Sequence, residues 1–362
     1  MIKIEPLFAT DYVQMRALLR LDAEHRPAED ICTENTFIFR GLTFWQHWLP
    51  CQLHAAPSVY VAKEDGVVLG LISLRSFGKS KECWQVGHLI VHPLHRGRGV
   101  AQELLRYAFA LLGSQGVSHF LSEVPDLNQA ALSLFAACGF SRSTKLNRYL
   151  LELKPSKNES KGSEVSQPCP FQLAGPADKL ALYQLHQDML PPNIRVIFSY
   201  CPDDFAGFEL PFENAEKMRK QIAKPKSWFW IAADAERKVL TGAVKVTSHA
   251  PSDYHLEFAI HPGWQHLSED FVKAAVAEIA KVCPFATISA KAYEFQPNLG
   301  DILESAGFNR TDTFFVLTRE HWVRAKQPKL LDKEGGQILP GIAKPAINLP
   351  LIMDRSIFDD NN

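Results

Sequence analysis

No stretch of this 362-residue chain approaches the roughly 20 consecutive apolar residues that a membrane-spanning helix requires. The opening Met-Ile-Lys-Ile-Glu-Pro lacks the apolar core of a secretory signal. Cysteine is sparse and unpaired: seven residues, at 32, 51, 83, 138, 169, 201 and 283, form an odd set with no Cys-x-x-Cys. That pattern excludes a disulfide scaffold and predicts reduced thiols in a cytoplasmic protein with no membrane association. Charge of one sign is missing too, because 39 Lys and Arg balance 40 Asp and Glu. A net charge of −1 gives no field for drawing in nucleic acid. Thirteen histidines are present without a His-Glu-x-x-His motif, and His92 and His95, which flank Pro93, stand in a turn with another use. No metal site is expected.

The chain does contain a strand that breaks into a glycine-rich turn and resumes as a helix. Cys83–Val91 mixes aromatic, β-branched and aliphatic residues as a buried strand does. It is followed by His92-Pro93-Leu94-His95-Arg96-Gly97-Arg98-Gly99-Val100-Ala101, then by Leu104, Leu105, Ala108, Leu111 and Leu112 at helical spacing. Gly97 and Gly99 carry no Cβ, so consecutive N–H groups can converge on an anion at the positive end of the helix. Arg96 and Arg98 add cations. The spacing fits neither a Walker loop nor a dinucleotide fingerprint. Upstream, two apolar runs between Val59 and Leu74 meet at Asp65-Gly66, a tight-turn dipeptide.

Arg96-x-x-Gly99-x-Ala101 resembles the acyl-CoA pyrophosphate motif of the GNAT acyltransferases. The segment Glu123–Phe140 is similar to that family's second signature: a strand, Asn128, a short helix and a closing Gly139-Phe140. The resemblance covers roughly residues 2–153. It implies that acetyl-CoA is bound as co-substrate by Leu89, Ile90, Val91, Arg96, Gly97, Arg98, Gly99, Val100, Ala101 and Asn128. The backbone amides of His88 to Val91 would face the thioester. The acetyl group would pass to a primary amine of a small molecule or peptide, by direct attack in a ternary complex. His88 and Glu123 are the candidate bases; the alternatives are a histidine satisfied inside the sheet and an ion-paired strand end. Where many members carry a tyrosine, four residues before Gly139, this chain has Phe135. Water, Ser133 and Tyr149 remain as proton donors. The absent tyrosine also leaves open a non-catalytic CoA-binding regulator.

Lys154–Cys169, rich in Ser and Lys, reads as a linker. Beyond it the first half repeats: His92-Pro93 returns as His261-Pro262, Gly139-Phe140 as Gly307-Phe308, and Gly70 as Gly242, at offsets of 169, 168 and 172. The turn does not return. Arg96, Gly99 and Ala101 correspond to Gln265, Ser268 and Asp270, and a carboxylate at the helix start repels a pyrophosphate. The expected fold is therefore α/β, with two tandem GNAT-type domains, each a mixed, mostly antiparallel sheet flanked by helices. Residues 1–153 form the cofactor-binding domain, 154–169 the linker, 170–325 a degenerate copy and 326–362 an extended arm. The chain would be a monomer or homodimer. The acceptor pocket is expected around residues 22–53, where acidic and aromatic residues suit a cationic amine or an ordinary amphipathic helix, and around 145–149.

Overall fold

The computed structural model describes residues 2–23, 58–154, 171–206, 226–234, 239–250 and 252–321. The expected linker beyond Lys154, the C-terminal arm and most of the acidic and aromatic stretch of 22–53 lie outside these residues.

Each half builds the same series of elements. In the first, β1 (Lys3–Pro6) and α1 (Tyr12–Ala23) precede the hairpin of β2 (Ser58–Glu64) and β3 (Val67–Ser76). Asp65 and Gly66 turn that hairpin with φ of 51° and 81°, the left-handed geometry expected of Asp-Gly. Then come β4 (Cys83–Val91), α2 (Val100–Ser114), β5 (His119–Pro125), α3 (Gln129–Ala137) and β6 (Ser141–Glu152). The second half supplies β7 (Gln172–Leu173), α4 (Lys179–Met189) and α5 (Pro192–Phe198). It continues with β8 (Lys226–Asp234), β9 (Val239–Ala250), β10 (Asp253–Ile260), α6 (Ser268–Val282), β11 (Thr287–Tyr293), α7 (Leu299–Ser305) and β12 (Asn309–Glu320).

The two expected sheets are fused into one. Its strand order is β1-β2-β3-β4-β5-β12-β6-β11-β10-β9-β8-β7, a palindrome once the halves are superposed in sequence. The last strands are exchanged: β12 lies against β5 (Val316 opposite Glu123), β6 lies against β11 (Arg148 opposite Lys291), and the two pair with each other at the centre. The sheet accordingly does not divide at residue 153, and Met1–Val323 forms one compact unit. Pairing is antiparallel except for β4 with β5 and β10 with β11.

The helices cover both faces. Leu104, Leu105, Ala108 and Leu112 of α2 and Leu132 and Phe135 of α3 pack on Trp84, Val86 and Phe120, while Met15 and Leu18 of α1 close the opposite face over Val61 and Leu71. In the second half Phe271, Val272 and Ile279 of α6 pack on Val244, Tyr254 and Leu256. Helix α5 lies over the exchanged centre, setting Ile194 and Phe198 against Cys83, Leu121, Leu146 and Phe314, so it belongs to one half by sequence and packs on the strands of both.

Candidate active site

Strand β4 starts as a regular member of the sheet and then leaves it. Its parallel pairing with β5 runs from Cys83 opposite His119 to Val86 opposite Ser122 and stops. On the β3 side the register slips between Ile72 (opposite Leu89) and Leu74 (opposite Val86), which inserts one extra residue at Gly87-His88. Ser73 secures this bulge: its Oγ accepts the His88 N–H at 2.7 Å and lies 3.2 Å from His88 Nδ1. A Cβ at Gly87 would stand 3.0 Å from the same hydroxyl, a tight contact that Ser73 would have to relieve. Past the bulge, the His92 N–H donates to Leu69 on β3 at 2.8 Å. Successive strand amides point to opposite edges. The N–H groups of Leu89 and Val91 therefore face the gap left by β5, and that of Ile90 faces β3.

The turn that follows has the geometry its glycines imply. Gly97 and Gly99 adopt φ of 77° and 80°, and a Cβ on either would meet nothing within 4 Å. Gly99 is the N-cap of α2 and supplies no side-chain cap to the first-turn N–H groups. Both arginines are tethered: Arg96 Nε donates to the Val91 carbonyl at 3.3 Å, and Arg98 pairs with Glu64 at 2.8 Å while contacting His95 Nδ1 at 3.0 Å. The Arg98 guanidinium beside Glu64 lowers that carboxyl's pKa. His92 Nδ1 accepts the Leu94 N–H, so both turn histidines have their Nδ1 engaged. Among the described residues no cluster of His, Cys, Asp and Glu forms a metal site.

Asn128 begins α3, where its Oδ1 caps the Ala131 N–H at 3.0 Å and leaves its NH2 to donate. Phe135 is buried edge-to-face against Phe140 at 4.9 Å between ring centroids, a core position with no proton to give. Ser133 lines a small cavity with Gln129 and Arg142. Tyr149 is carried by the strand exchange into the core of the second half, its hydroxyl against Gly300, which removes it as a donor for the turn.

The two candidate bases sit at the vertex of the splay in different settings. His88 is 4% exposed and held by Ser73. Glu123, the residue after the last β4–β5 pair, accepts from Arg148 Nη2 at 3.1 Å and lies 3.6 Å from Lys291 Nζ. Burial raises its pKa, but Lys291, Arg148 and Arg75 outweigh that and leave it below the ordinary carboxylate value. A carboxylate so held is a weaker base. Lys291 and Arg148 escape a sequence reading because only the exchanged strands bring them to Glu123.

The second half shows the same architecture without the site. Strand β10 has eight residues where β4 has nine, and its pairing with β9 is unbroken from Tyr254 to Ile260; its one register shift lies at the strand start, between Asp253 and Tyr254, and not where β4 is bulged. Gln265 Nε2 donates to the Ile260 carbonyl at 3.3 Å, as Arg96 does to Val91. The glycines are replaced by a chain that enters α6 with Ser268 at φ −58°, and Glu269 and Asp270 occupy the first turn. Gln296, at the position of Asn128, donates to the Phe258 carbonyl at 2.7 Å and bridges the gap between β10 and β11. A cavity of about 240 Å³ remains, lined by Met189, Ile260, Gln265, Ser268 and Leu299.

Residues 21–140 match the sequence model of the acetyltransferase (GNAT) family. The first half carries a GNAT acetyltransferase domain. Over 96 residues it is 33% identical to a probable N-acetyltransferase family 8 member 5 of Mus musculus, and over 94 residues 28% identical to N-acetyltransferase 8F1 of Rattus norvegicus. Those matches take in 26% and 25% of this chain and span 42% of each relative's length. Among solved structures, a tandem GNAT protein from the clavulanic acid biosynthesis pathway superposes with a TM-score of 0.53 over 88% of this chain and 98% of its own, at 18% identity. A GCN5-related N-acetyltransferase from Sphaerobacter thermophilus gives 0.53 over 88% and 95%, at 11%. At those identities the likeness is one of fold, and it extends across both halves of a tandem GNAT arrangement.

Proposed function

We propose that the GNAT domain binds acetyl-CoA and transfers its acetyl group to a primary amine by direct attack in a ternary complex. One observation carries this reading: the bulge at Gly87-His88 and the open glycine turn occur together in the first half, and the second half, whose gap is bridged by Gln296, has neither at the corresponding places. The N–H groups of Leu89 and Val91 are aimed where a thioester carbonyl polarises, which is the geometry an oxyanion needs. The turn from Arg96 to Ala101, with Val100 and Ala101 opening the helix, receives the pyrophosphate, and Arg98 exchanges Glu64 for a phosphate oxygen. The Asn128 NH2 reaches toward the pantetheine arm. Acetyl-CoA supplies the activated acyl group; the thiolate leaves with a proton from water, since Phe135 has none. Among the two candidate bases, the depressed pKa of Glu123 favours His88 or water.

The setting in this reading is the cytoplasm, consistent with the free thiols of Cys83, Cys138, Cys201 and Cys283. Among the described residues no helix is long and apolar enough to cross a membrane. Calorimetric titration of the intact chain with acetyl-CoA is the test, followed by an amine screen for CoA release. Binding at one site per chain with release is the expected result. Binding without release from any amine makes the protein a CoA-dependent regulator, and no binding removes the reading.

A further inference from the structure

The degenerate cleft of the second half keeps a cavity of about 240 Å³. It lies where β10 and β11 part, beyond their last pair at Glu257 and Lys291, and beside Ser268 at the start of α6. Met189 of α4, Ile260 of β10, Leu299 of α7 and Phe295 make an apolar wall, and the exposed Pro262 and Pro297 open it to solvent. By comparison with the roughly 150 Å³ that hold one benzene ring, there is room for about ten non-hydrogen atoms. The wall is preorganised: the Phe295 ring stacks on Tyr293 at 5.1 Å between centroids, and the prolines stiffen the backbone at the opening.

The polar part of the lining is Gln265, Ser268 and Gln296, and none of the described residues around the cavity is charged. A charged group held there would lose water without gaining a counter-ion. The amide nitrogens and the hydroxyl are already engaged. Gln265 Nε2 donates to the Ile260 carbonyl at 3.3 Å, Gln296 Nε2 to the Phe258 carbonyl at 2.7 Å, and Ser268 Oγ to the Gln265 carbonyl at 2.6 Å. Gln296 Oε1 accepts the Tyr293 N–H at 2.9 Å. Gln265 Oε1 is the acceptor that remains, its orientation set by the bond its amide nitrogen makes to the strand. One backbone donor joins it. The His261 N–H returns to Thr241 at 2.9 Å on the β9 side, so the N–H of Ile260 points to the other edge, into the gap beyond the last β10–β11 pair.

We infer that this second cleft binds a small uncharged carboxamide. Its carbonyl accepts from the Ile260 N–H, its N–H donates to Gln265 Oε1, and its apolar body fills the space between Met189, Phe295 and Leu299. The site is separate from the acyl transfer proposed above and does not depend on it. The first half selects a phosphate with its glycine turn, and the second selects a neutral molecule with an uncharged wall.

The test titrates the full chain by calorimetry with acetanilide, an amide of the size the cavity admits, beside phenylacetate, an anion of similar size, and N-methylacetanilide, which lacks the N–H. One acetanilide per chain with a Kd of about 0.1–1 mM is expected, the affinity open to so small a ligand in an apolar site. Phenylacetate is expected to bind at least about 30-fold more weakly and N-methylacetanilide about 10-fold more weakly, the latter through one unmade hydrogen bond. Saturating acetyl-CoA leaves the acetanilide titration unchanged. Leu299→Trp, which fills the cavity, is expected to abolish acetanilide binding and to retain acetyl-CoA binding. If that variant fails to fold, Gln265→Met, which removes the acceptor at similar volume, is expected to bind the two amides equally. Absence of saturable acetanilide binding below about 10 mM overturns the inference. So do phenylacetate binding of equal strength, competition by acetyl-CoA, and a folded Leu299→Trp that binds acetanilide as before. Acetanilide binding to a chain that takes up no acetyl-CoA supports the second site and refutes acyl transfer.

Discussion

At Gly97 and Gly99 the backbone occupies the left-handed region and the space above it is open, so a side chain there projects into open space rather than into the core. Gly99→Asp combined with Arg96→Ala is therefore expected to weaken acetyl-CoA binding by at least about 100-fold while the fold survives, since an aspartate costs roughly 1–2 kcal/mol in this conformation. Calorimetry with a thermal melt checks both halves of that statement, and retained affinity refutes the turn as the cofactor site. Glu123 offers a pH-dependent check. Its folded-state pKa lies below the ordinary carboxylate value, chiefly through Lys291 and then Arg148, against a burial that acts the other way. The stabilisation is then complete above about pH 4.3, the unperturbed value, and is lost as pH falls through the lower folded-state pKa. Glu123→Gln is expected to be less stable than the natural chain at pH 7, because Lys291 and Arg148 lose their anion. Urea melts should show that difference shrinking below pH 4, and a constant difference would disprove the pairing.

Among the elements, β6 and β12 decide how the chain can be divided. Strand β5 takes its second neighbour from β12, and β6 lies between β12 and β11. A fragment of residues 1–153 would leave the β5 edge that β12 covers exposed as long as its own β6 keeps the register it has in the intact chain. The palindromic order supplies a substitute, since β6 of a second copy can occupy the place of β12. Residues 1–153 expressed alone are thus expected to dimerise by strand exchange or to aggregate. Light scattering after size exclusion distinguishes these from a folded monomer, which would mean that β6 moves onto β5 once β12 is absent. Strand β4 makes a related point about length. Before the bulge its residues and those of β10 are 170 apart, as with Cys83 and Asp253; after it they are 169 apart, as with His92 and His261. The single residue between those offsets separates the half whose strand is bulged at Gly87-His88 from the half whose strand keeps an unbroken register there.

At the scale of the whole molecule, two related halves share one sheet and divide its uses. The first keeps the bulge and the open turn. The second replaces the glycines with a closed helix start, sets two carboxylates in the first turn of α6 and bridges its own gap with Gln296. One acetyl-CoA per intact chain is the expected stoichiometry, and Gln265→Ala with Ser268→Ala is expected to leave that affinity unchanged. A second calorimetric site, or a loss of binding in that double variant, would mean that the second cleft still receives the cofactor.

The hairpin at Asp65-Gly66, strand β4, the left-handed glycines before α2 and the repeat across the two halves are all legible in the chain, because each rests on a local rule: turn dihedrals, side-chain periodicity, the N–H groups at a helix start, or internal likeness at a fixed offset. The loss of the turn in the second copy is legible for the same reason. Tertiary structure alone settles the rest. The bulge at Gly87-His88 exists only as a mismatch between two strands, and Ser73 secures it from the neighbouring one. The exchange of β6 and β12 leaves no trace in either strand, since both alternate in the same way whichever neighbour they pair with. The surroundings of Glu123 follow from that exchange, as Arg148 and Lys291 are 25 and 168 residues away along the chain and meet it only across a sheet that both halves build. Local sequence chooses elements and turns because their energies are local, whereas partners across a sheet are chosen by which edges remain uncovered when the whole chain has folded.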